Sequence, residues 1–163
     1  MSASIVIGSR VPDVRLGYCV NGEIHRCHAA EIFAGTRAIV IGVPGAFTPV
    51  CSRQHLPDYV ENAASLRASG FDQLICIAAN DPFVVERWAL SIDPQGRLRF
   101  LSAGNLDFAT ALGLQMVNRE MFMAGRSERY LMVVDKGLIT HIRVEPNIHT
   151  YSCTRTKDVT AFV

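Results

Sequence analysis

The sequence predicts one α/β domain, in which helices flank a central mixed β-sheet and a β-hairpin is added on the N-terminal side. Three observations support this fold class. Short β-branched segments alternate with segments of helical periodicity, turn signals mark hairpins near both ends, and 163 residues are enough for one hydrophobic core. We therefore expect residues 1–163 to form a single domain.

The N-terminal part predicts a hairpin followed by a buried strand. Residues 14–20 alternate loosely in polarity and lead into Asn21-Gly22, a strong two-residue turn signal, so residues 23–27 are expected to return as the second strand. Residues 37–43 are β-branched and apolar on both faces. This pattern is typical of a strand inside a sheet that helices cover on both sides.

Helical periodicity identifies the elements that cover the sheet. Residues 29–33 form one predicted helical turn, and apolar positions recur at helical spacing over residues 51–69, with Gly70 as the stop. Asp81 is placed to cap a further helix over residues 82–92.

The rest of the chain completes the alternating pattern. The remaining predicted elements are strands 73–79 and 98–101, a short helix 106–112, a hairpin of strands 130–134 and 138–144, and a frayed helix or tail 154–163. This order of elements predicts a mixed sheet with helices on both faces, and so a thioredoxin-like α/β fold.

Composition and charge exclude several classes of protein. With 49% hydrophobic and 19% charged residues, the chain is globular rather than disordered. The net charge of +1 creates no overall field that would attract nucleic acid or an anionic membrane. The longest uncharged stretch is too short to span a bilayer. No signal peptide is recognisable, so we expect a reducing, cytoplasmic location.

The five cysteines are Cys19, Cys27, Cys51, Cys76 and Cys153. Their odd number and the lack of a CxxC pair exclude a fully paired disulfide framework and the common zinc sites, so at least one thiol must be free. Residues 25–28, His-Arg-Cys-His, have no second ligand pair, and no glycine-rich phosphate-binding motif is present. We expect neither a metal nor another cofactor.

One segment, residues 43–53, departs from what folding alone requires. A buried strand ends there, a loop with two prolines follows, and Cys51 begins a long helix. The unpaired N–H groups in the first turn of a helix stabilise a thiolate over a thiol. The two prolines restrict the backbone of this loop, and packing alone does not require a rigid loop here. Cys51 is therefore the candidate nucleophile. The alternative interpretation is that Cys51 is only a small buried side chain at the start of a helix.

The pattern Pro44-x-x-x-Thr48-x-x-Cys51 resembles the active-site signature of peroxiredoxins. The longer run GVPGAFTPVCSRQHLP, residues 42–57, is similar to that of the type II, peroxiredoxin-5-like subgroup. Three later motifs are also similar to that subgroup: Asn80-Asp81-Pro82-Phe83, Arg129-Tyr130-Leu131-Met132-Val133-Val134 and Val144-Glu145-Pro146. The resemblance covers nearly the whole chain.

This resemblance implies a thiol-dependent peroxidase that reduces hydrogen peroxide and organic hydroperoxides in antioxidant defence. It implies that Cys51 is the peroxidatic cysteine, which attacks the terminal peroxide oxygen and becomes a sulfenic acid. Thr48 would hydrogen-bond the thiolate and the peroxide. Arg129 would hold the thiolate and draw charge from the breaking O–O bond, and Pro44 would shield the thiolate from water.

A second thiol must then attack the oxidised Cys51. The resemblance implies that Cys153, in the loop after the third motif, is the resolving cysteine and forms a Cys51–Cys153 disulfide that thioredoxin recycles. Residues 147–152 lack the glycines frequent in this loop, and some relatives use glutathione or glutaredoxin directly, so an external thiol is the alternative. The other three thiols are expected to play no part in catalysis: Cys19, Cys27 and Cys76.

Two other functions stay open at the level of the sequence. His55 lies one turn from Cys51 and would allow a Cys–His acyl-transfer enzyme, although no oxyanion elbow is evident. Within the resemblance, His55 is instead a supporting residue near the pocket. The second alternative is a redoxin-fold module that senses peroxide through Cys51 without turnover.

Three further residues bear on the expected structure. Pro57 lacks an N–H and should kink the helix that begins at Cys51. Asp58 stands where many members of the subgroup have glycine. The hydrophobic loop around Phe47 suits a homodimer face, and a monomer is equally compatible with the sequence.

Overall fold

The computed structural model describes residues 5–162, which form a mixed β-sheet with helices on both faces and a second, two-stranded sheet. The strands are β1 Arg15–Val20, β2 Glu23–His28, β3 Arg37–Val43, β4 Gln73–Ala78, β5 Arg99–Ser102, β6 Gln115–Asn118, β7 Met123–Ser127, β8 Tyr130–Asp135 and β9 Leu138–Val144. The helices are α1 Ala29–Phe33, α2 Leu56–Glu61, α3 Ala63–Ala68, α4 Pro82–Ile92, α5 Asp107–Leu112 and α6 Thr156–Val159. A π-helical turn, Cys51–His55, precedes α2, and a 3₁₀ turn, Thr160–Phe162, follows α6.

The main sheet has the strand order β2-β1-β5-β4-β3-β8-β9, and β6 pairs with β7 in the second sheet. Strands β3, β4 and β5 are parallel, and the strands on either side of them are antiparallel. The predicted fold class, a thioredoxin-like α/β domain with an N-terminal hairpin, is confirmed. The single-domain organisation of residues 1–163 stays a prediction. No helix among residues 5–162 is long and apolar enough to cross a membrane.

Alternation along the strands divides the core into two apolar clusters. In β3, Ile39, Ile41 and Val43 belong to one cluster, and Ala38 and Val40 belong to the other. The first cluster contains the candidate nucleophile and packs against α2, α3 and α4, whereas the second is covered by α1 and α5. The central strands are therefore buried on both faces, as their continuous apolar sequence predicts.

The predicted single helix over residues 51–69 is interrupted twice. It begins with the π-helical turn, in which backbone hydrogen bonds span five residues rather than four, and Asn62 separates α2 from α3. Pro57 accounts for the π turn, because it has no N–H and its ring would clash with the carbonyl four residues earlier. The irregularity expected at Pro57 takes the form of this wider turn, in which the Leu56 N–H donates to the Cys51 carbonyl.

Strands β6 and β7 are absent from the sequence-based prediction. They are short, β7 contains Gly125, and their pairing shifts register between Met116 and Asn118, so neither strand shows a clear alternation of polarity. The other predicted boundaries agree with the structure to within one residue. The C-terminal residues form α6 and the 3₁₀ turn, and Val163 lies outside the described residues.

Candidate active site

The loop that carries the candidate site, residues 44–50, begins at the edge of the sheet where the parallel strands β3 and β4 end. Asn80 follows β4, and its Oδ1 accepts a hydrogen bond from the Ala46 N–H at 2.7 Å. The next residue, Phe47, has a left-handed backbone with φ of 61°. Such a conformation is costly for a residue with a side chain and persists where the surroundings hold it. Asn80 therefore helps to fix the shape of this loop.

Arg126, on β7, supports the same loop. Arg126 Nη1 donates a hydrogen bond to the Pro44 carbonyl at 3.3 Å. A Cβ atom at Gly45 would lie 2.5 Å from that Nη1, so the approach depends on a residue without a side chain. Asn80 and Arg126 thus tether the loop at two adjacent points.

Cys51 lies in the first turn after this loop and is fully buried. The Ser52 N–H donates to the Thr48 carbonyl at 3.0 Å, so the helical path begins in the loop itself. Ser52 Oγ accepts a hydrogen bond from Trp88 Nε1 of α4 at 2.9 Å. The position of the Cys51 backbone is therefore set from both the loop and the neighbouring helix.

Arg129 places a positive charge beside the sulfur inside the protein. Its Nη1 donates to Cys51 Sγ at 3.0 Å and to His55 Nδ1 at 3.2 Å, and its Nη2 donates to the Ile148 carbonyl at 2.8 Å. The guanidinium is buried, and it forms no salt bridge with a carboxylate in the described part of the chain. A buried cation needs a compensating charge, and the Cys51 sulfur is the contacting group that can carry it.

His55 orients Arg129 rather than activating the thiol. Burial, and then the positive charge of Arg129, keep the pKa of His55 well below its ordinary value. The ring is therefore neutral, and its Nδ1 accepts the hydrogen bond from Arg129. Within residues 5–162 no hydrogen bond joins His55 to Cys51. The geometry gives no support to a Cys–His acyl-transfer pair.

A cavity of about 140 Å³ is lined by Arg129, whose Nη1 contacts Cys51 Sγ, and by Val50, which precedes Cys51. The buried Cys51 side chain is not part of this lining. Pro44 and Thr48 also line the cavity, together with apolar side chains that include Met121 and Met123. One water molecule requires roughly 10–15 Å³ of such volume. The cavity is therefore large enough for a small hydroperoxide with an apolar substituent.

The Thr48 hydroxyl faces its own loop. It donates a hydrogen bond to the Gly45 carbonyl at 2.7 Å, and among the described residues it has no hydrogen bond to Cys51. Because the proton is already donated, the hydroxyl oxygen is left as an acceptor on the wall of the cavity. Thr48 can thus accept a hydrogen bond from the O–H of a hydroperoxide.

The segment after β9 folds around the carboxylate of Glu145. Its Oε1 accepts hydrogen bonds from the N–H groups of Ser152, Cys153 and Thr154 at 2.8, 2.9 and 3.0 Å. The hydroxyls of Ser152 and Thr154 also donate to this carboxylate, each at 2.9 Å. Burial alone would raise the pKa of Glu145, but these hydrogen bonds together lower it to about 2. An ionised carboxylate therefore holds the backbone that carries Cys153.

Among the described residues, no hydrogen bond joins Cys153 to Cys51. The Cys153 thiol donates weakly to the Val144 carbonyl, with a sulfur–oxygen distance of 3.5 Å. Burial, and then the negative charges of Glu145 and Asp158, raise the pKa of Cys153. In this conformation Cys153 is a protonated thiol directed back toward β9.

The other three cysteines lie in the core and in the N-terminal hairpin. Cys76 is buried in the same apolar cluster as Cys51, and burial, followed by the nearby Cys51, raises its pKa well above the ordinary value. Cys19 and Cys27 lie on opposite strands of the N-terminal hairpin. All five cysteines of the chain are free thiols in this structure.

The structure brings Pro44, Thr48 and Arg129 together on one cavity, joins that cavity to the Cys51 sulfur through Arg129, and directs the Cys153 thiol toward Val144. Sequence reasoning did not identify the supporting roles of Asn80 and Arg126. The motif that begins at Asn80 carried a signal for its position, whereas no local pattern distinguishes Arg126 from a surface arginine.

Comparison with known proteins identifies the family. Residues 7–160 match the family model described as Redoxin. A chloroplastic peroxiredoxin-2E-2 of Oryza sativa subsp. japonica is 38% identical over 148 residues, which cover 88% of this chain and 66% of that protein. Peroxiredoxin-2B of Arabidopsis thaliana is 33% identical, with 88% of this chain and 89% of that protein covered. The chain spans slightly less than two thirds of the chloroplastic peroxiredoxins that it matches, 66% and 64%.

Solved structures lead to the same family. Reduced Prx3 of Vibrio vulnificus in complex with hydrogen peroxide is 32% identical, with a TM-score of 0.90 over 97% of this chain and 98% of that chain. Peroxiredoxin 5 of Alvinella pompejana is also 32% identical, with a TM-score of 0.80 over 88% and 92% of the two chains. The chain therefore belongs to the redoxin family, as a peroxiredoxin of the type II, peroxiredoxin-5-like kind.

Proposed function

We propose that this chain is a thiol-dependent peroxidase and that Cys51 is its nucleophile. The observation that carries the proposal is the 3.0 Å contact between Arg129 Nη1 and the buried Cys51 Sγ, beside a cavity of about 140 Å³. Relatives named peroxiredoxins, and the Prx3 structure that contains hydrogen peroxide, support this activity. The cellular role would be antioxidant defence and redox homeostasis.

In the proposed first step, the Cys51 thiolate attacks the terminal oxygen of a hydroperoxide, ROOH. The S–O bond forms as the O–O bond breaks, the sulfur gives up two electrons, and the alkoxide leaves as ROH after taking a proton. Cys51 becomes a sulfenic acid. With hydrogen peroxide the second product is water. The apolar wall of the cavity supports organic hydroperoxides as substrates as well.

Three neighbours serve this step in the proposal. Arg129 donates to the sulfur in the resting state and to the peroxide oxygens as negative charge develops on them. Thr48 accepts a hydrogen bond from the peroxide O–H and so orients its terminal oxygen toward the sulfur. Pro44 lines the cavity with an apolar ring, which limits the access of water to the thiolate.

For the second step we favour resolution by Cys153. The Cys153 sulfur attacks the Cys51 sulfenic acid, a disulfide forms, and water leaves. The Cys153 thiol is hydrogen-bonded to the Val144 carbonyl, so the segment that carries it must move before attack. Because the pKa of Cys153 is raised, the thiol must also lose its proton as it attacks. A thioredoxin then supplies two electrons to the disulfide. Glutathione or glutaredoxin, acting directly on Cys51, is the alternative reductant.

The aromatic surface near the loop supports a homodimer. Phe47, Phe83 and Phe122 are 58%, 50% and 95% exposed. Phe122, together with Asn80 and Arg126, lines a cleft of about 600 Å³, and these two polar residues also bind the loop that contains Phe47. Exposed aromatic side chains grouped around one loop are typical of a protein interface. A second copy of this chain is the proposed occupant.

The predicted location is cytoplasmic, and two of the relatives are named as chloroplastic proteins. The near-neutral charge of the chain supports neither a nucleic acid nor an anionic membrane as a partner. The proposed partners are therefore hydroperoxides, a thiol reductant and a second copy of the chain.

Peroxide consumption with a recycling system tests the proposal. We expect turnover with thioredoxin, or with glutathione and glutaredoxin, and none in Cys51→Ser. Cys76→Ser is the matched control, because it removes a buried thiol from the same apolar cluster and should keep the turnover. Stoichiometric oxidation of Cys51 without turnover in either system would instead identify a peroxide sensor.

Mass spectrometry of the peroxide-treated protein tests the second step. A disulfide between the peptides that contain Cys51 and Cys153 supports intramolecular resolution. A lone glutathione adduct on Cys51, formed in the presence of glutathione and without that disulfide, contradicts it.

A further inference from the structure

The carboxylate of Asp58 joins the first turn of α2 to the C-terminal segment. Its Oδ2 accepts hydrogen bonds from the Tyr151 hydroxyl and from the Thr156 N–H, the latter at 2.9 Å. Its Oδ1 accepts from the Thr156 hydroxyl at 2.7 Å and from Asn62 Nδ2 at 3.1 Å. Three of these four hydrogen bonds come from residues more than ninety positions away along the chain.

The two attachment points enclose Cys153. Tyr151 precedes it by two residues and Thr156 follows it by three, so Asp58 holds the backbone on both sides of the thiol. Tyr59, next to Asp58 on α2, adds a hydrogen bond from its hydroxyl to the Thr154 carbonyl at 2.7 Å. Hydrogen bonds to a charged acceptor are stronger than those between neutral groups, and Asp58 supplies the charged acceptor of this contact.

The same contact reaches the buried site through aromatic packing. The ring of Tyr151 lies against the ring of His55, with centroids 5.1 Å apart, and His55 accepts a hydrogen bond from the arginine that contacts Cys51. The C-terminal segment is thus closed over the side of the site where Arg129 binds the Ile148 carbonyl. The hydrogen bonds of Asp58 to Tyr151 and Thr156 therefore oppose any opening of the segment between them, which carries Cys153.

We propose that Asp58 is a latch that holds the Cys153 segment closed and delays the attack of Cys153 on the Cys51 sulfenic acid. This inference rests on the proposed resolution by Cys153. Asp58 acts through the segment that it binds and is a positioning residue.

The latch changes the relative rates of two competing reactions of the sulfenic acid. In one, the Cys153 thiol displaces water and forms the disulfide. In the other, a second ROOH transfers an oxygen atom to the sulfenic acid, which gives the sulfinic acid and ROH. The first reaction requires the open segment, whereas the second requires only that peroxide enters the cavity. Asp58 therefore raises the fraction of Cys51 that is overoxidised when peroxide is in excess.

Asp58→Asn and Tyr151→Phe test the latch. Asparagine keeps the size of the side chain and removes its charge, and phenylalanine keeps the ring against His55 and removes one hydrogen bond. Glu61→Gln is the matched control, because it removes a carboxylate from an exposed position on the same helix. Thermal unfolding checks that each variant folds, and Tyr151→Phe carries the test if Asp58→Asn does not.

The readouts are amide hydrogen exchange in residues 146–156 and the time course of Cys51 products after peroxide addition, followed by mass spectrometry. We expect Asp58→Asn to exchange faster in this segment and to form the disulfide about tenfold faster, with less sulfinic acid in excess peroxide. The rate of the first oxidation should not change. Tyr151→Phe should lie between Asp58→Asn and the unmodified protein, and Glu61→Gln should match the latter.

Equal exchange in all variants would overturn the latch, and so would faster exchange with an unchanged rate of disulfide formation. If the unmodified protein forms no Cys51–Cys153 disulfide, resolution by Cys153 fails, and the latch is judged by capture of the sulfenic acid with glutathione. Faster capture in Asp58→Asn then supports a latch that guards Cys51. Equal capture rates reject it.

Discussion

Arg129 is the residue on which the proposed chemistry depends most. Lowering the pKa of a thiol raises its thiolate fraction, but it also lowers the nucleophilicity of the thiolate, with a Brønsted slope of about 0.4–0.5. The two effects nearly cancel, so ionisation by itself provides little acceleration. Most of the acceleration must therefore come from donors that bind the peroxide oxygens more tightly as charge develops. Arg129 is the buried donor in contact with the sulfur, and His55 and the Ile148 carbonyl fix its orientation.

Arg129→Ala should lower the rate of peroxide reduction about 10²–10³-fold, the cost typical of a lost oxyanion donor. The fall in rate should greatly exceed the change in the thiolate fraction of Cys51. Stopped-flow oxidation gives the rate, and a spectroscopic thiolate titration gives the fraction. Arg129→Lys keeps the charge but lacks the planar guanidinium with its several N–H donors, so it should recover only part of the rate. Equal losses of rate and thiolate fraction in Arg129→Ala would contradict this role.

At the scale of elements, the structure connects the active-site turn with the segment that follows β9. The π-helical turn carries Cys51, α2 carries Asp58, and both face residues 146–156, which Glu145 holds from the other side. Glu145 is the acceptor for three consecutive N–H groups of this segment. The conformation of the Cys153 region therefore depends on two carboxylates, Glu145 and Asp58.

The depressed pKa of Glu145, about 2 against an ordinary 4.5, predicts a loss of stability in acid. A carboxylate with a lowered folded-state pKa contributes stability that is complete above pH 4.5 and disappears as the pH falls toward 2. We expect the free energy of unfolding to fall by about 2 kcal/mol over this range from Glu145 alone. Urea unfolding at a series of pH values measures it.

Glu145→Gln should remove this acid-dependent contribution and lower the stability at neutral pH by a similar amount. Glu128→Gln is the control, because burial raises the pKa of Glu128 and its contribution to stability has the opposite sign. If Glu145→Gln keeps the full acid-side loss, other carboxylates account for the acid sensitivity.

At the scale of the whole molecule, the sheet separates a face that holds the candidate site from a face that supports it. Cys51 belongs to the apolar cluster beneath α2, α3 and α4, whereas the opposite cluster lies beneath α1 and α5. The aromatic surface lies at the end of this sheet, around the tethered loop. A dimer through this surface would bury the exposed rings and stiffen the loop that precedes Cys51.

Phe122→Asp should convert the proposed dimer to a monomer, because it places a charge at the most exposed aromatic of the surface. Sedimentation velocity over a range of protein concentrations measures the change. Leu90→Asp is the control, since Leu90 is also exposed, at 56%, but lies on α4 away from the loop. An unmodified protein that stays monomeric at all concentrations would reject the dimer.

Local sequence signals account for most of the fold. The alternating and continuous apolar segments predicted β3, β4 and β8, and the Asn21-Gly22 turn predicted the hairpin, in which both residues have positive φ. Strands β6 and β7 were missed because they are short and their pairing is irregular. The π turn at Cys51 depends on where hydrogen bonds can form around Pro57, and periodicity alone shows neither this turn nor the break at Asn62.

The sequence by itself determined the family, the order of the main elements and the candidate nucleophile, because these depend on neighbouring residues and on ordered motifs. The resemblance also implied the contact between Arg129 and the Cys51 sulfur. Only the tertiary structure decided that Thr48 donates to its own loop, that His55 binds Arg129, and what holds Cys153. Arg129 lies 78 positions from Cys51 along the chain, and Tyr151 lies 93 positions from Asp58. The physical reason is that a hydrogen bond forms only when two atoms come within about 3 Å, and the packing of the whole sheet brings such distant residues together.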